Sequence, residues 1–154
     1  MSSLHAFTVA VDLAERQRDA ARQRLKDMLG AQQAAQAQLD QLQGYAQETQ
    51  NRWGVSQGRV LQPGLLQHHD QFMGRLEHAI ALQQRVVGGH QQRIEQARQA
   101  LLQAELRLSS LQKVLQRRQA EQQRQQQRRE QKQTDERAAL RLGAATLPWK
   151  ESLP

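Results

Sequence analysis

The 154-residue sequence has no cysteine, three prolines and only five aromatic residues. Without cysteine the chain forms no disulfide, binds no zinc through thiolates and has no cysteine nucleophile. Five aromatic side chains and a hydrophobic content of 38% are too little to fill the core of a globular domain of this length. The apolar residues must therefore form a narrow seam.

Long apolar runs are also absent. No stretch approaches the roughly 18 consecutive apolar residues that a membrane-spanning helix needs, and the opening MSSLHAF lacks the basic-then-apolar layout of a signal peptide. We expect a soluble, non-secreted protein. A net charge of +7 keeps nucleic acid, anionic lipid and acidic protein surfaces open as partners.

The residues that are abundant favour helix. Gln (31), Leu (21), Ala (20) and Arg (18) make up more than half of the chain, and all four have high helix propensity. The β-branched and aromatic residues that fill sheets are scarce. The composition excludes a β-rich or α/β domain and predicts an all-α fold.

Two stretches show a seven-residue repeat of apolar side chains. The first runs from Leu4 to Trp53, with Leu4 and every seventh residue after it at heptad position a. The second runs from Leu66 to Arg118, and each of its a positions is apolar. A seven-residue period sustained over this length is typical of a coiled coil, in which one face of each helix stays buried.

The two stretches are separated by a cluster of helix-breaking residues: Gly54, Gly58, Pro63 and Gly64. Two long helices joined by a short break pack in opposite directions, so we predict an antiparallel coiled-coil hairpin forming a single domain over residues 1–142. Helix 1 is expected at about 3–54, the turn at about 55–64 and helix 2 at about 65–142. Partner residue numbers should add to about 122. A swapped dimer of two chains is the alternative arrangement.

Beyond Arg118 the heptads stop, and the chain continues as polar, helix-forming sequence without an apolar stripe. We expect an unpaired basic helical extension here and a flexible tail at residues 143–154. Positive charge concentrates in residues 113–141, where nine Lys and Arg residues accompany four acidic ones. Because no aromatics are interleaved with this charge, specific nucleic-acid recognition is unsupported. A solvated helix face and a contact with an acidic protein surface both stay open.

No catalytic or cofactor motif is present. The sequence has no phosphate-binding loop and no H-E-x-x-H. His68, His69 and Asp70 are adjacent, but neighbouring side chains on a helix diverge by about 100°, so solvated or seam-edge positions explain them better than a metal site. Two paired helices also build no concave catalytic pocket. We expect no enzymatic activity, no cofactor and no metal.

A second apolar strip lies beside the predicted seam. It repeats at i, i+4 and i+7 on both helices and comprises Gln38, Leu42, Tyr45, Phe72, Leu76 and Ala79. These residues either widen the seam or form an exposed patch for a partner, and the sequence leaves both interpretations open.

Four short motifs occur in order along almost the whole chain. The first is Leu13, Ala14, Glu15, Ala20 and Ala21. The second is Gln38, Leu39, Leu42, Tyr45 and Glu48, and the third is Gln71, Phe72, Leu76, Glu77, Ala79 and Ile80. The fourth is Gln131, Lys132, Asp135, Glu136 and Ala138. Together with the heptads, these motifs resemble the flagellar export protein FliJ family, a small cytoplasmic component of the flagellar type III export apparatus.

The resemblance implies a non-enzymatic, stalk-like protein of bacterial flagellum biogenesis, protein transport and motility. Its coiled coil would be similar to the central stalk of rotary ATPases, with joined helix ends that enter the ring of the export ATPase FliI. The resemblance also implies contact with the export gate protein FlhA, with export chaperones and with the ATPase regulator. The location it implies is cytoplasmic, peripheral at the inner face of the cell membrane at the flagellar base. It implies no specific nucleic acid and no membrane insertion.

The resemblance maps the gate-binding patch to the strip of Gln38, Leu42, Tyr45, Phe72, Leu76 and Ala79. The expected contact with the ATPase ring is the basic end: Arg117, Arg118, Arg124, Arg128, Arg129, Lys132 and Arg137. The sequence departs from the family at Thr49, where an aromatic is expected, and at Gln83, where His is expected. The alternative function is a coiled-coil scaffold that binds RNA or an anionic membrane through its Arg-rich end.

Overall fold

The computed structural model describes residues 2–56 and 63–145, and every residue in these ranges lies in one of two α-helices. Helix α1 spans Ser2–Ser56 and helix α2 spans Pro63–Ala145. The two long helices pack against each other, so the all-α fold expected from the composition and the heptads is confirmed.

Both helices extend slightly beyond the ranges expected from the sequence. Pro63 is the first residue of α2. This position suits proline, because backbone N–H groups in the first turn of a helix have no partner within the helix, so the N–H that proline lacks is not missed. The adjacent pair Gly88 and Gly89 does not interrupt α2. Residues 57–62 of the expected turn and 146–154 of the expected tail lie outside the described residues, whereas 143–145 belong to α2.

Packing divides the two helices into two compact units, the first of which consists of Met1–Ala14 and Arg107–Pro154. Its core combines apolar residues from both helices: buried Val11, Ala14 and Leu108, with Leu111 and Leu115 packed against them. Small Ala14 on α1 thus shares a cluster with large leucines on α2, which keeps the helix axes close.

The second unit consists of Glu15–Leu106. One of its core clusters contains buried Ala35, Leu39 and Val87, with Ile80 packed against them. Near the expected turn, the rings of Trp53 and His69 are stacked, with centroids 3.9 Å apart and planes only 4° from parallel. In this unit too, side chains of α1 pack directly against side chains of α2.

Every buried apolar residue of the described ranges occupies an a or d position of the predicted heptads: Val11, Ala14, Ala35, Leu39, Met73, Leu76, Val87, Ile94, Ala97 and Leu108. The contacts also follow the predicted register. Ala14 clusters with Leu108 and Trp53 stacks on His69, and in both pairs the residue numbers add to about 122, as the antiparallel coiled coil requires.

The seam also contains a few polar side chains, and none of them is fully buried in the described ranges. Gln32 and His90 face each other in the predicted register and are both half-buried. No hydrogen bond joins their side chains within residues 2–56 and 63–145. No buried side-chain nitrogen or oxygen in these ranges lacks a partner, because the seam is narrow enough for water to reach its polar members.

Disulfide cross-linking tests the register, because the chain has no native cysteine. Cysteine pairs replacing Ala14 with Leu108, and Leu25 with Ala97, should each form an intramolecular disulfide on mild oxidation, seen as a mobility shift on a non-reducing gel. A pair replacing Leu25 and Ala104 is one heptad out of register and should not bridge, since a disulfide needs Cα atoms within about 7 Å. Bridging of the offset pair instead of the matched pairs would contradict the register.

Candidate partner-binding surfaces

The strip beside the seam, hereafter the lateral patch, consists of Gln38, Leu42, Tyr45, Phe72, Leu76 and Ala79 and lies in the unit Glu15–Leu106. Its two aromatic rings come from different helices and touch. Their centroids are 5.9 Å apart with planes at 73°, an edge-to-face contact of the kind that aromatic pairs favour. Tyr45 is 54% exposed and Phe72 is 39% exposed, so both rings remain accessible to a partner.

The other members of the lateral patch differ in their exposure. Gln38 is exposed, Leu42 and Ala79 are half-buried, and Leu76 is buried at a d position. Leu42 and Leu76 therefore belong to the seam, whereas Tyr45 and Phe72 lie on its flank. Leu42 and Leu76 thus fit the first interpretation, in which strip residues widen the seam, and the exposed aromatic pair fits the second, a patch for a partner.

Gln83 connects the two helices directly beneath the lateral patch. Its Nε2 donates to the backbone carbonyl of Ala35 at 2.9 Å and to the Gln38 side-chain oxygen Oε1 at 3.2 Å. In the heptads Gln83 is a polar d residue opposite Leu39, an apparently poor pair. The hydrogen bonds explain how this polar side chain is accommodated, because the Gln83 amide bonds the α1 backbone at Ala35 and the side chain of the patch residue Gln38. Two features of the sequence marked Gln83, its polar side chain at a d position and its departure from the family pattern.

Thr49, the other departure from the family pattern, is half-buried and contributes no ring to the flank. Its Oγ1 donates to the backbone carbonyl of Tyr45 at 2.8 Å, a bond within one turn of α1. The aromatic surface of the patch is therefore limited to Tyr45 and Phe72 among the residues of this flank.

The basic end lies on the C-terminal part of α2, in the unit Met1–Ala14 and Arg107–Pro154, and begins beside the first turns of α1, where Arg118 contacts Phe7. Its seven expected contact residues are all exposed: Arg117, Arg118, Arg124, Arg128, Arg129, Lys132 and Arg137. Indeed, every residue of 123–144 is exposed. No apolar side chain of α1 covers residues 123–144, so the charged side chains of this segment do not lie over an apolar core.

Arg118 differs from the other six basic residues because it is engaged within the unit. Its guanidinium carbon Cζ lies 4.7 Å from the centroid of the Phe7 ring, a cation–π contact at the last predicted d position of α2. Arg118 thus covers the end of the apolar seam with a cation. Within the described part of the chain, none of the seven basic side chains forms an ion pair, and their charge is uncompensated.

The histidines do not form a ligand set with neighbouring acids. His68 is exposed, whereas the ring of His69 is stacked on Trp53. Within residues 2–56 and 63–145, no group of three or more His, Asp or Glu side chains is placed to hold a metal ion. In the same ranges, neither helix contains a segment both long and apolar enough to span a membrane.

Fold and surfaces together define a class, a coiled-coil pair of helices with an exposed aromatic flank and an uncompensated basic end. Comparison with known protein families shows to which family within this class the chain belongs. The family model described as "Flagellar FliJ protein" matches residues 3–146. The chain therefore belongs to the FliJ family, which is a non-enzymatic component of flagellar type III export, and the family expected from the sequence motifs is confirmed. No curated protein matches the chain.

Replacing Gln83 by Ala tests whether this side chain connects the helices. Loss of both hydrogen bonds should lower the free energy of unfolding by about 0.5–1.5 kcal/mol, measured by urea denaturation followed by circular dichroism. Gln84→Ala is the matched control, because Gln84 is exposed and makes no side-chain hydrogen bond within the described helices. An equal effect of the two substitutions would show that the Gln83 bonds contribute no net stability.

Proposed function

We propose that this protein is a coupling stalk that binds the export ATPase FliI through its basic end and the export gate protein FlhA through the lateral patch, with no enzymatic activity of its own. The observation that carries this proposal is the presence of two exposed surfaces with different chemistry on one pair of helices in a FliJ family member. The basic end consists of exposed Arg and Lys side chains, and the lateral patch carries two exposed aromatic rings.

The basic end is suited to a partner with an acidic surface. Its exposed Arg and Lys side chains have no ion-pair partner within the described residues, so docking onto carboxylates would satisfy charges that the hairpin leaves open. Long-range attraction would also guide the free helix toward its partner and raise the association rate. A ring of ATPase subunits that receives a helix end is such a partner.

The lateral patch is suited to a different contact. Aromatic side chains dominate the binding energy of many interfaces because they bury a large area at low entropic cost. Tyr45 and Phe72 offer two touching rings on the flank of the seam. The patch would bind the gate largely by burial of apolar surface, so salt should weaken this contact less than the contact at the basic end.

Export chaperones and the ATPase regulator are further partners within this proposal, which locates the protein in the cytoplasm, peripheral to the inner face of the cell membrane at the flagellar base. Membership of an export-apparatus family supports this location. The stalk would act by contact alone, since its role is to connect an enzyme with a gate.

Deleting residues 119–154 should abolish stimulation of the export ATPase while leaving the helices paired. Among the described residues, every buried apolar side chain lies at or before Leu108, so the deletion removes none of these core side chains, and the Phe7–Arg118 contact remains. ATP hydrolysis by the purified ATPase is measured with and without the variant, and helix content is checked by circular dichroism. Full stimulation by the folded, shortened chain would contradict the proposed ring contact.

A full-length variant separates charge from length. Arg124→Gln, Arg128→Gln and Arg129→Gln together should reduce stimulation, whereas Arg16→Gln, Arg22→Gln and Arg98→Gln remove the same charge from other exposed positions and should not. Binding to a homopolymeric RNA and to anionic vesicles is measured over a salt series, because phosphate binding falls steeply with salt. Tight RNA or vesicle binding by a chain that does not stimulate the ATPase would favour the scaffold alternative.

Tyr45→Ala with Phe72→Ala should weaken binding to the gate protein by about 2 kcal/mol or more, as loss of central aromatic residues commonly does, and should reduce motility while sparing ATPase stimulation. Binding is measured by calorimetry with the cytoplasmic part of the gate protein. Leu102→Ala with Leu106→Ala is the control, since these leucines are 50% and 59% exposed but lie outside the patch. Equal loss of gate binding and ATPase stimulation would mean that the rings are structural.

A further inference from the structure

The two flanks of the seam carry opposite charge in the unit Glu15–Leu106. Heptad position g precedes each a position, and Tyr45 and Phe72, both g residues, touch across the helices. The g positions of this unit carry no acid and three arginines: Arg24, Arg52 and Arg93. The e positions on the other flank carry two arginines and four acids: Arg22, Arg98, Glu15, Asp70, Glu77 and Glu105. Arg52 pairs with Glu48, so the positive charge that a partner on the g flank meets comes from Arg24 and Arg93.

A groove opens on the g flank, separate from the lateral patch. It is lined by residues of both helices, among them Arg24, Asp27, Met28, Ala31, His90 and Arg93. On α1 it lies two heptads before the lateral patch, a separation of about 21 Å at the helical rise of 1.5 Å per residue. No residue of the lateral patch lines it, so the groove is a distinct surface.

Small side chains make room for the groove. Ala20 and Ala31 line the groove on α1, and Ala31 occupies a g position. Half-buried Met28 contributes apolar surface to the floor, and a polarizable, unbranched side chain there adapts to different partner shapes.

Two free cations flank this apolar floor. Arg24 and Arg93 are both exposed, and neither forms an ion pair or a side-chain hydrogen bond within the described ranges. The single acid of the groove, Asp27, accepts a hydrogen bond from Gln23 Nε2 at 2.9 Å. The guanidinium groups are therefore available for bidentate bonds to carboxylates of another molecule.

We propose that this groove, with Arg24 and Arg93 at its sides, binds an acidic amphipathic helix of a partner protein. An apolar helix face would cover Met28 and Ala31, while Glu or Asp side chains on its borders would pair with the two arginines, the arrangement of a helix in a groove. Charge complementarity selects an acidic helix over a basic one. A nucleic acid would find only two free cations here and no exposed ring on which to stack a base, since the aromatic pair belongs to the lateral patch.

The test uses the full-length protein and a synthetic, fluorescein-labelled helical peptide with Leu and Ala on one face and Glu along both borders. A second peptide carries Lys in place of each Glu. Fluorescence anisotropy should show that the Glu peptide binds the native chain and that the Lys peptide does not. Equal binding of both peptides, or no binding of the Glu peptide, would overturn the proposal.

Matched charge reversals locate the binding. Arg24→Glu with Arg93→Glu should weaken binding of the Glu peptide about tenfold or more, whereas Arg22→Glu with Arg98→Glu changes the net charge equally on the e flank and should have little effect. All four arginines are exposed, and circular dichroism and urea midpoints verify that the variants are folded. Ala31→Glu, which adds a carboxylate to the groove itself, should weaken binding as well. Equal weakening by the g-flank and e-flank reversals would mean that only net charge matters.

The result is distinguishable from failure of the proposed gate and ATPase contacts. Tyr45→Ala with Phe72→Ala should leave binding of the Glu peptide unchanged, and loss of binding in that variant would mean that the peptide occupies the lateral patch instead. A benzophenone amino acid replacing Ala31 should cross-link the Glu peptide, and one replacing exposed Ala37 should not. A light-dependent product of twice the chain mass from position 31 would show that a second copy occupies the groove, which also overturns the proposal.

Discussion

Burial of a narrow apolar seam between two helices is the interaction on which the rest of this molecule depends. Every buried apolar residue in the described ranges is an a or d residue of the predicted heptads, so these ranges contain no second core that could hold a loop or another layer. A two-helix seam buries side chains on one face only, and the remaining surface of both helices stays in water. Whatever the protein contacts, it contacts through that surface.

The extent of the seam determines where each surface lies. Its last buried member is Leu108, and Arg118 closes the end by covering Phe7. Beyond this point α2 continues with exposed polar and basic side chains, because no apolar partner from α1 remains to cover it. In the unit Glu15–Leu106, by contrast, the seam is intact, and its flank carries the aromatic pair and the groove at Arg24 and Arg93. The chemistry of each partner-binding surface thus depends on which side chains the seam does not bury.

A polar residue within the seam, Gln83, also contributes to the packing of the two helices. Gln83 would be a defect in a purely hydrophobic interface, yet its amide bonds the backbone of Ala35 and the side chain of Gln38. Such a bond fixes the position of one helix along the other, since the donor has few alternative acceptors within the seam. The same residue lies under the lateral patch, so a structural connection and a partner surface share one side chain.

The sequence by itself determined the helices, the seam and the free basic end. These features depend on local propensity and on a seven-residue period, and both can be counted along one chain. Tertiary structure alone decided that the rings of Tyr45 and Phe72, residues far apart in sequence, touch across the helices while 54% and 39% of their surfaces stay exposed. It also decided that Gln83 connects the helices and that Arg118 covers Phe7. Exposure and cross-helix contacts depend on the facing helix, whose side chains lie far away in sequence and close in space.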